Sequence, residues 1–294
     1  MRGEGVTYSQ SVGARTWRRF RRSKLAVSGS VLIGLLVAAA VLAPVISPFH
    51  PIEDYDFATR SLKAPSRTHL MGTDAQGRDV LSRVLHGARI SLVVGVAAMA
   101  ISLAIGLTLG ALSGYYGGWV DNLIMRFTDM VFAFPAPLFV IAVAAVFERR
   151  SIVVLFWILG LIGWPGIARI VRGKVIEVKA TEYAEAARAM GAGGVRIIGR
   201  HILPNSLAPI MVAASIGIAG NILTEAWLSF LGLGLAPEQP SWGNMISEGA
   251  AAIYAKKAWL CLFPGAALIA AVLGFNLLGD GLRDALDPRL EETR

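Results

Sequence analysis

The sequence contains 294 residues, of which 55% are hydrophobic and 16% are charged. A soluble domain carries about 25% charged residues, so this composition indicates a protein that lies in a lipid bilayer. The formal net charge is +8, but basic residues of membrane proteins gather on cytoplasmic loops, and we infer no nucleic-acid partner. The single cysteine excludes an internal disulfide, and the four histidines lack ligand spacing, so no metal site is assigned.

Six apolar runs are long enough to cross a membrane, which takes about 20 residues in a helix. Helices are the expected form, because lipid offers no hydrogen-bond partner to an open backbone. In chain order the predicted spans are Leu25–Ile46, a stretch within Ile90–Val120, Met130–Phe147, Ser151–Ala168, about Ser206–Phe230 and Ala258–Gly279. The first run exceeds the roughly 7–15 residues of a cleaved signal-peptide core, so we interpret it as a retained helix.

Basic residues set the predicted orientation of these spans. Six of them, and no acid, lie within Arg15–Lys24, which places the amino terminus in the cytoplasm. After four crossings the chain returns to the cytoplasm, and the seven basic residues within Arg169–Arg200 agree with this. The pair Arg149–Arg150 falls on the outer side and argues against the orientation. The sequence therefore predicts an all-α polytopic membrane protein with both termini in the cytoplasm.

The segment 47–89 is predicted to be an extracytoplasmic loop that contains an interfacial helix. Thr73 or Asp74 suits a helix N-cap, and Asp79 and Arg83 have the spacing of an i,i+4 ion pair. Four apolar residues would share one helical face: Val80, Leu81, Val84 and Leu85. We expect a short amphipathic helix that lies at the interface and leads into the second span.

Glu225 is the only acidic residue inside a predicted span. A carboxylate in lipid needs a partner or a water-lined site. Two roles stay open for it: a structural hydrogen bond or salt bridge, or a polar group that lines a transport pathway. Pro135, Pro137 and Pro165 predict kinks in the third and fourth spans, and Trp242 is expected to anchor the chain at the membrane interface.

The polar, basic segment between the fourth and fifth spans carries a distinctive pattern. Its residues are Glu185-Ala186-Ala187, then Gly191, and later His201-Ile202-Leu203-Pro204. Two short helices joined at a glycine on the cytoplasmic side would form a docking element for another protein. The pattern resembles the EAA loop of ABC-importer permeases: Glu-Ala-Ala, three residues, Gly, nine residues, Ile, any residue, Leu-Pro. His201 stands where that pattern has Ile.

Other segments extend the resemblance over nearly the whole chain. They are the basic amino terminus with the first span, and residues 72–83, 228–234, 240–243 and 279–289. Together they are similar to the C-type permease subunit of dipeptide and oligopeptide ABC importers. The resemblance implies a type I ABC-importer permease fold in the cytoplasmic membrane of a bacterium or archaeon. The expected organisation is a cytoplasmic segment 1–24, a first helix 25–46, the loop 47–89, a core permease domain 90–280 with the EAA loop at about 173–205, and a cytoplasmic tail 281–294.

The resemblance also implies the partners of this chain. They are a B-type permease, two cytoplasmic ABC ATPases and an extracytoplasmic substrate-binding protein. Residues Thr181–Met190 would form a coupling helix that lies in a groove of an ATPase. The expected roles are close approach at Ala186 and Ala187, capping or ion pairing by Glu185, a turn at Gly191, and the start of the fifth span at Leu203-Pro204.

No phosphate-binding Gly-x-x-x-x-Gly-Lys-Ser/Thr motif is present, so the partner ATPases would bind ATP and Mg, and this chain would be non-catalytic. A small peptide is the favoured substrate. Nickel, another metal chelate or an oligosaccharide are alternatives, because substrate choice rests largely on the binding protein. A secondary transporter is an alternative of another class, but several mid-membrane charges and an inverted repeat are not evident. A membrane-embedded enzyme would need a catalytic constellation, which the sequence does not display.

Overall fold

The computed structural model describes residues 12–146, 151–250, 252–253 and 256–286. Parts of three predicted segments lie outside the described residues: 1–11 of the basic amino terminus, Phe147 with the pair Arg149–Arg150, and 287–294 of the tail. The helices of the described part are α1 Val12–Arg22, α2 Lys24–Ile46, α3 Phe57–Arg60, α4 Val80–Tyr116, α5 Gly118–Ala133, α6 Ala136–Val146, α7 Ile152–Lys179, α8 Glu182–Ala189, α9 Gly194–Ile197, α10 Leu203–Phe230, α11 Trp242–Ala250 and α12 Trp259–Leu286.

Five of these helices are long and apolar enough to cross a membrane: α2, α4, α7, α10 and α12. The pair α5 and α6 passes the same test only when both helices are taken together, as a bent pair. The described part of the chain therefore has five membrane-length helices, and six crossings if the bent pair is one span. We name the end of the bundle that carries α8 the inner end and the opposite end the outer end, following the predicted orientation.

The third span differs from the straight helix predicted at Met130–Phe147. It begins at Gly118, and the chain bends by 83° between α5 and α6. The bend falls at Phe134 and Pro135, because a residue before proline is driven out of the helical region and Phe134 is extended at φ −84° and ψ 130°.

The other two prolines lie within helices that continue past them. Pro137 lies in the first turn of α6, where a missing N–H leaves no hydrogen bond unmade. Pro165 lies inside α7, which continues as one helix to Lys179. Of the three prolines, Pro135 is therefore the one at a break in the described helices.

The second span is a single helix of 37 residues, and the expected short interfacial helix forms its first turns. Asp79, and not Thr73 or Asp74, is the N-cap: its Oδ2 accepts a hydrogen bond from the Ser82 N–H at 2.8 Å. No proline occurs between Val80 and Tyr116, so the helix does not stop at the interface. At 1.5 Å per residue, α4 is about 55 Å long and exceeds the roughly 30 Å hydrocarbon core.

The core of the bundle is the contact between α4 and α7. A Cβ atom at Gly110 would lie 2.4 Å from the backbone oxygen of Ala168, so only glycine fits at this position. Val171 and Val175 are fully buried in the same contact. Small residues allow membrane helices to approach closely, and van der Waals contact then holds them together.

Candidate functional site: the loop between α7 and α10

The loop between α7 and α10 contains a short helix where the sequence predicts a coupling helix. Thr181 is the N-cap of α8 and Met190 is its C-cap. The backbone oxygen of Thr181 accepts hydrogen bonds from the N–H groups of Ala184 and Glu185, at 3.0 and 3.1 Å. Glu182 and Glu185 lie in the first turn, where an acidic side chain interacts favourably with the positive end of the helix dipole.

Gly191 ends α8 through its backbone conformation. Its φ of +81° lies in the left-handed region, which costs glycine little. Its N–H donates to the Arg188 oxygen at 2.9 Å, and the Ala192 N–H donates to the Ala187 oxygen at 3.1 Å. A Cβ atom at Gly191 would meet no other atom within 4 Å, so conformation and not space selects glycine here.

The two faces of α8 have different surroundings. Ala184 and Ala187 are buried against this chain, and Ala187 is only 4% exposed. Ala187 packs in a cluster with the apolar side chains Val175, Val178, Ile197 and Ile202. The structure therefore places Ala187 on the inward face, in contrast to the close approach to a partner that the sequence analysis expected for it.

The outward side of α8 is formed by Glu185, Ala186, Ala189 and Met190, which we name the α8 outer face. Met190 is 83% exposed and Val195, beyond the turn, is 82% exposed. The sequence analysis assigned no role to these two residues. The sequence does show both of them as apolar side chains close to the glycine turn at Gly191.

Lys179 ties the loop to the inner end of α4. Its Nζ donates to the Tyr115 backbone oxygen at 2.5 Å and lies 5.5 Å from the centre of the Tyr115 ring. Arg188 of α8 donates in turn to the Lys179 backbone oxygen. Basic side chains commonly satisfy the free carbonyls at helix ends in this way. α8 is thus fastened to the ends of both α4 and α7.

Two basic residues of α7 bind two acidic residues of α5. The sequence analysis had used both basic residues as evidence for the orientation of the spans in the membrane. Arg172 forms a two-pronged pair with Asp121, with Nε and Nη2 each 2.6 Å from a carboxylate oxygen. Arg169 Nη2 lies 2.6 Å from Asp129 Oδ1, and its guanidinium carbon is 4.3 Å from the centre of the Phe132 ring. These pairs hold α5 against the inner half of α7.

The sequence analysis expected the fifth span to start at Leu203-Pro204. In the structure α10 begins at Leu203, and Pro204 lies in its first turn. A π-helical turn, Ile198–Ile202, joins α9 to α10. The Ile202 side chain is fully buried in the cluster that contains Ala187, while the His201 side chain lies outside the described part. The motif thus lies partly on the inward face of the loop and partly on the α8 outer face.

Glu225 lies fully buried between α4 and α10. Ser91 Oγ donates to its Oε2 at 3.1 Å, and Ser229 Oγ donates to its Oε1 at 2.8 Å. A buried carboxylate is stabilised when hydrogen bonds replace its lost hydration. Of the two roles left open by the sequence, these contacts support the structural one.

A buried charge cluster lies at the outer end. Arg83 Nη1 is 2.5 Å from Asp74 Oδ2 and 2.6 Å from Glu248 Oε2. Arg83 does not form the predicted pair with Asp79, because Asp79 is occupied by capping α4 and by His69 Nδ1 at 2.9 Å. The cluster fastens the loop before α4 to α11.

Trp242 lies beside this cluster and differs from its prediction. It is fully buried, and its indole N–H donates to the Val84 backbone oxygen at 3.1 Å. The expected membrane-interface anchor is therefore a core residue that joins α11 to α4.

Membrane-length helices with a tethered helical loop at the inner end define a polytopic membrane protein. Comparison with known proteins supports this class. A family model for the inner membrane component of binding-protein-dependent transport systems matches residues 106–292. A model for the N-terminal TM domain of oligopeptide transport permease C matches residues 11–65. The chain belongs to the binding-protein-dependent transport family of inner membrane components.

Named relatives confirm the resemblance inferred from the sequence. The glutathione transport system permease protein GsiD of Pectobacterium atrosepticum is 44% identical over 94% of this chain and 90% of that protein. The dipeptide transport system permease protein DppC of Alkalihalophilus pseudofirmus is 42% identical over 94% of this chain and 89% of that protein. The oligopeptide permease protein OppC of Haemophilus influenzae is 44% identical, with 92% and 87% covered.

A solved structure confirms the all-α permease fold. A chain from inward-facing crystals of the MetNI methionine ABC transporter aligns with a TM-score of 0.54. The alignment covers 69% of this chain and 96% of that chain at 19% identity. At this identity the match concerns the fold alone.

Proposed function

We propose that this chain is the permease subunit of an ATP-driven importer, and that it carries di- or oligopeptides across the cytoplasmic membrane by alternating access. Support for the peptide substrate comes from relatives at 42–44% identity that are named as glutathione, dipeptide and oligopeptide permeases. Alternating access requires two conformations whose populations a partner shifts by binding one of them more tightly.

The partners in this proposal are a B-type permease, two ABC ATPases and an extracytoplasmic binding protein. ATP and Mg are bound by the ATPases, and this chain contributes no catalytic group. The observation that carries the proposal is the two-sided α8, whose inward face is anchored through Ala184 and Ala187 and whose outer face is free of this chain. An ATPase that grips the outer face moves α8, and α7 and α10 follow because both pack on the same cluster.

The substrate is tested with the complete transporter and its cognate binding protein in proteoliposomes. The expected result is ATP-dependent accumulation of a labelled dipeptide or pentapeptide and no accumulation of nickel or maltotriose. Accumulation of nickel or sugar in place of peptide contradicts the substrate assignment. Peptide uptake in vesicles that contain the two permeases without the ATPases contradicts the importer class and favours a secondary transporter.

A further inference from the structure

A groove of about 450 Å³ runs along the outside of the bundle between α2 and α4. Its floor is formed by Ala40 and Leu92, which are buried, and its walls are four exposed valines: Val37, Val41, Val93 and Val96. Along α4 the lining residues recur at helical spacing, so they form one continuous stripe. The apolar lining of the groove lies within two predicted spans, and Arg89 directly precedes the second of them, so the groove faces lipid or another membrane helix.

Arg89 is the charged residue at one end of this stripe. It is exposed, and within the described residues its guanidinium has no hydrogen-bond or ion-pair partner. Ala40 packs with Ala88 and Leu92, so Arg89 is level with Ala40. Ala40 lies six residues before the outer end of α2 at Ile46, which is about 9 Å along the helix. From this depth a long arginine side chain reaches the phosphate layer of the outer leaflet.

An unpartnered cation at this depth is costly, and cations inside membrane segments are normally paired. A guanidinium forms two parallel hydrogen bonds with a phosphate, and these charge-assisted bonds are the strong ones. The valine-lined groove below Arg89 offers an apolar surface about 12 Å long, from Arg89 to Ala97, beside which an acyl chain can lie. The two features match the two parts of one phospholipid.

We propose that this groove binds an anionic phospholipid of the outer leaflet, with its phosphate on Arg89 and an acyl chain between α2 and α4. Charge selects lipid over a helix of the second permease, because that helix would have to bring a carboxylate into the membrane opposite Arg89. Phosphatidylglycerol binds more tightly than phosphatidylcholine, because choline carries a positive charge that compensates the phosphate.

The test is native mass spectrometry of the full chain in detergent, titrated with phosphatidylglycerol. Arg89→Gln removes the positive charge and at least one of the two hydrogen bonds to the phosphate, so it is expected to weaken binding at least about tenfold. Arg67→Gln, in the exposed loop on the same side of the membrane, is the matched control and leaves binding unchanged. Val93→Trp fills the groove while it keeps Arg89, and it also weakens binding.

Three outcomes overturn the proposal. Equal phosphatidylglycerol binding by the wild type and by Arg89→Gln shows that the phosphate does not bind Arg89. Unchanged phosphatidylglycerol binding by Val93→Trp shows that the acyl chain does not lie in the groove. A photo-crosslinker at position 93 in the assembled transporter that captures the second permease, and not lipid, shows that a protein helix is the occupant. Phosphatidylcholine titrated in parallel separates anionic selectivity from general lipid adsorption.

Discussion

The two faces of α8 predict opposite consequences for the same substitution at adjacent residues. Ala187 is 4% exposed and packs against Val175, Val178, Ile197 and Ile202, whereas Ala186 lies on the exposed α8 outer face. Leucine at position 187 overpacks the cluster and is expected to cost about 1–3 kcal/mol. Leucine at position 186 meets no atoms of this chain that it must displace, so its cost to folding is within about 0.5 kcal/mol.

Local opening of the loop measures this difference. A loss of 1–3 kcal/mol raises the open fraction about five- to 150-fold, and proteolysis of a transiently open segment follows that fraction. Ala187→Leu is therefore expected to accelerate tryptic cleavage near Arg188, while Ala186→Leu is cleaved at the wild-type rate. Both variants are expected to lose association with the ATPase, because one disorders α8 and the other adds bulk to its docking face.

The combination of readouts decides between the two faces. Wild-type ATPase association in Ala186→Leu refutes the docking role of the outer face. Lost association in Ala187→Leu without faster cleavage shows that position 187 touches the ATPase directly, and the inward assignment is then wrong. Recovery of each variant in the membrane fraction shows insertion, and a wild-type elution profile of the purified permease in gel filtration excludes general misfolding.

Three further predictions concern backbone strain and buried charge. Gly191→Ala is expected to destabilise the loop by about 1–2 kcal/mol, since its φ of +81° disfavours alanine, and Gly191→Asn is expected to retain most of the stability. Faster proteolysis of the alanine variant alone confirms this, and equal rates contradict it. Glu225→Ala leaves two buried serine hydroxyls without their acceptor and is expected to cost about 1–3 kcal/mol, measured as a lower melting temperature. Glu225→Gln, which melts near the wild-type temperature, is expected to transport normally, and lost transport at that temperature would instead indicate a pathway role. Glu248→Met is expected to lower the melting temperature because it removes one of the two carboxylates that bind the buried Arg83, the other being Asp74. The double variant Arg83→Met with Glu248→Met is expected to recover part of that loss, and a double variant with the lowest melting temperature contradicts the reasoning.

Five of the six predicted crossings match single membrane-length helices in the described part of the chain, because a long apolar run is enough to predict a membrane helix. The exact course of the third span was not predictable, since the predicted run began at Met130 and excluded the charged residues Asp121 and Asp129. Those acids belong to α5 and are compatible with it because Arg172 and Arg169 of α7 bind them. Such pairing is a tertiary contact, and the hydropathy along the chain gives no information about tertiary contacts.

The candidate site also has features that local sequence predicts and features that depend on tertiary packing. The position of α8 and its end at Gly191 follow from local sequence, and the structure has a helix and a positive φ there. The direction in which Ala187 points depends on where α7 ends and how the π-helical turn Ile198–Ile202 brings apolar residues beneath α8. Trp242 shows the same limit, because its burial depends on α11 folding over α4.

The unbroken length of α4 has a mechanical consequence. One end is clamped by Glu248 through Arg83, and the other is held by Lys179 at the Tyr115 carbonyl. A stiff rod about 55 Å long that tilts by about 5° around its centre displaces each tip by about 2 Å, in opposite directions. In the proposed function, a push by an ATPase at the inner end of α4 would produce an opposite swing at its outer end by leverage, without a relay of repacked side chains across the bilayer.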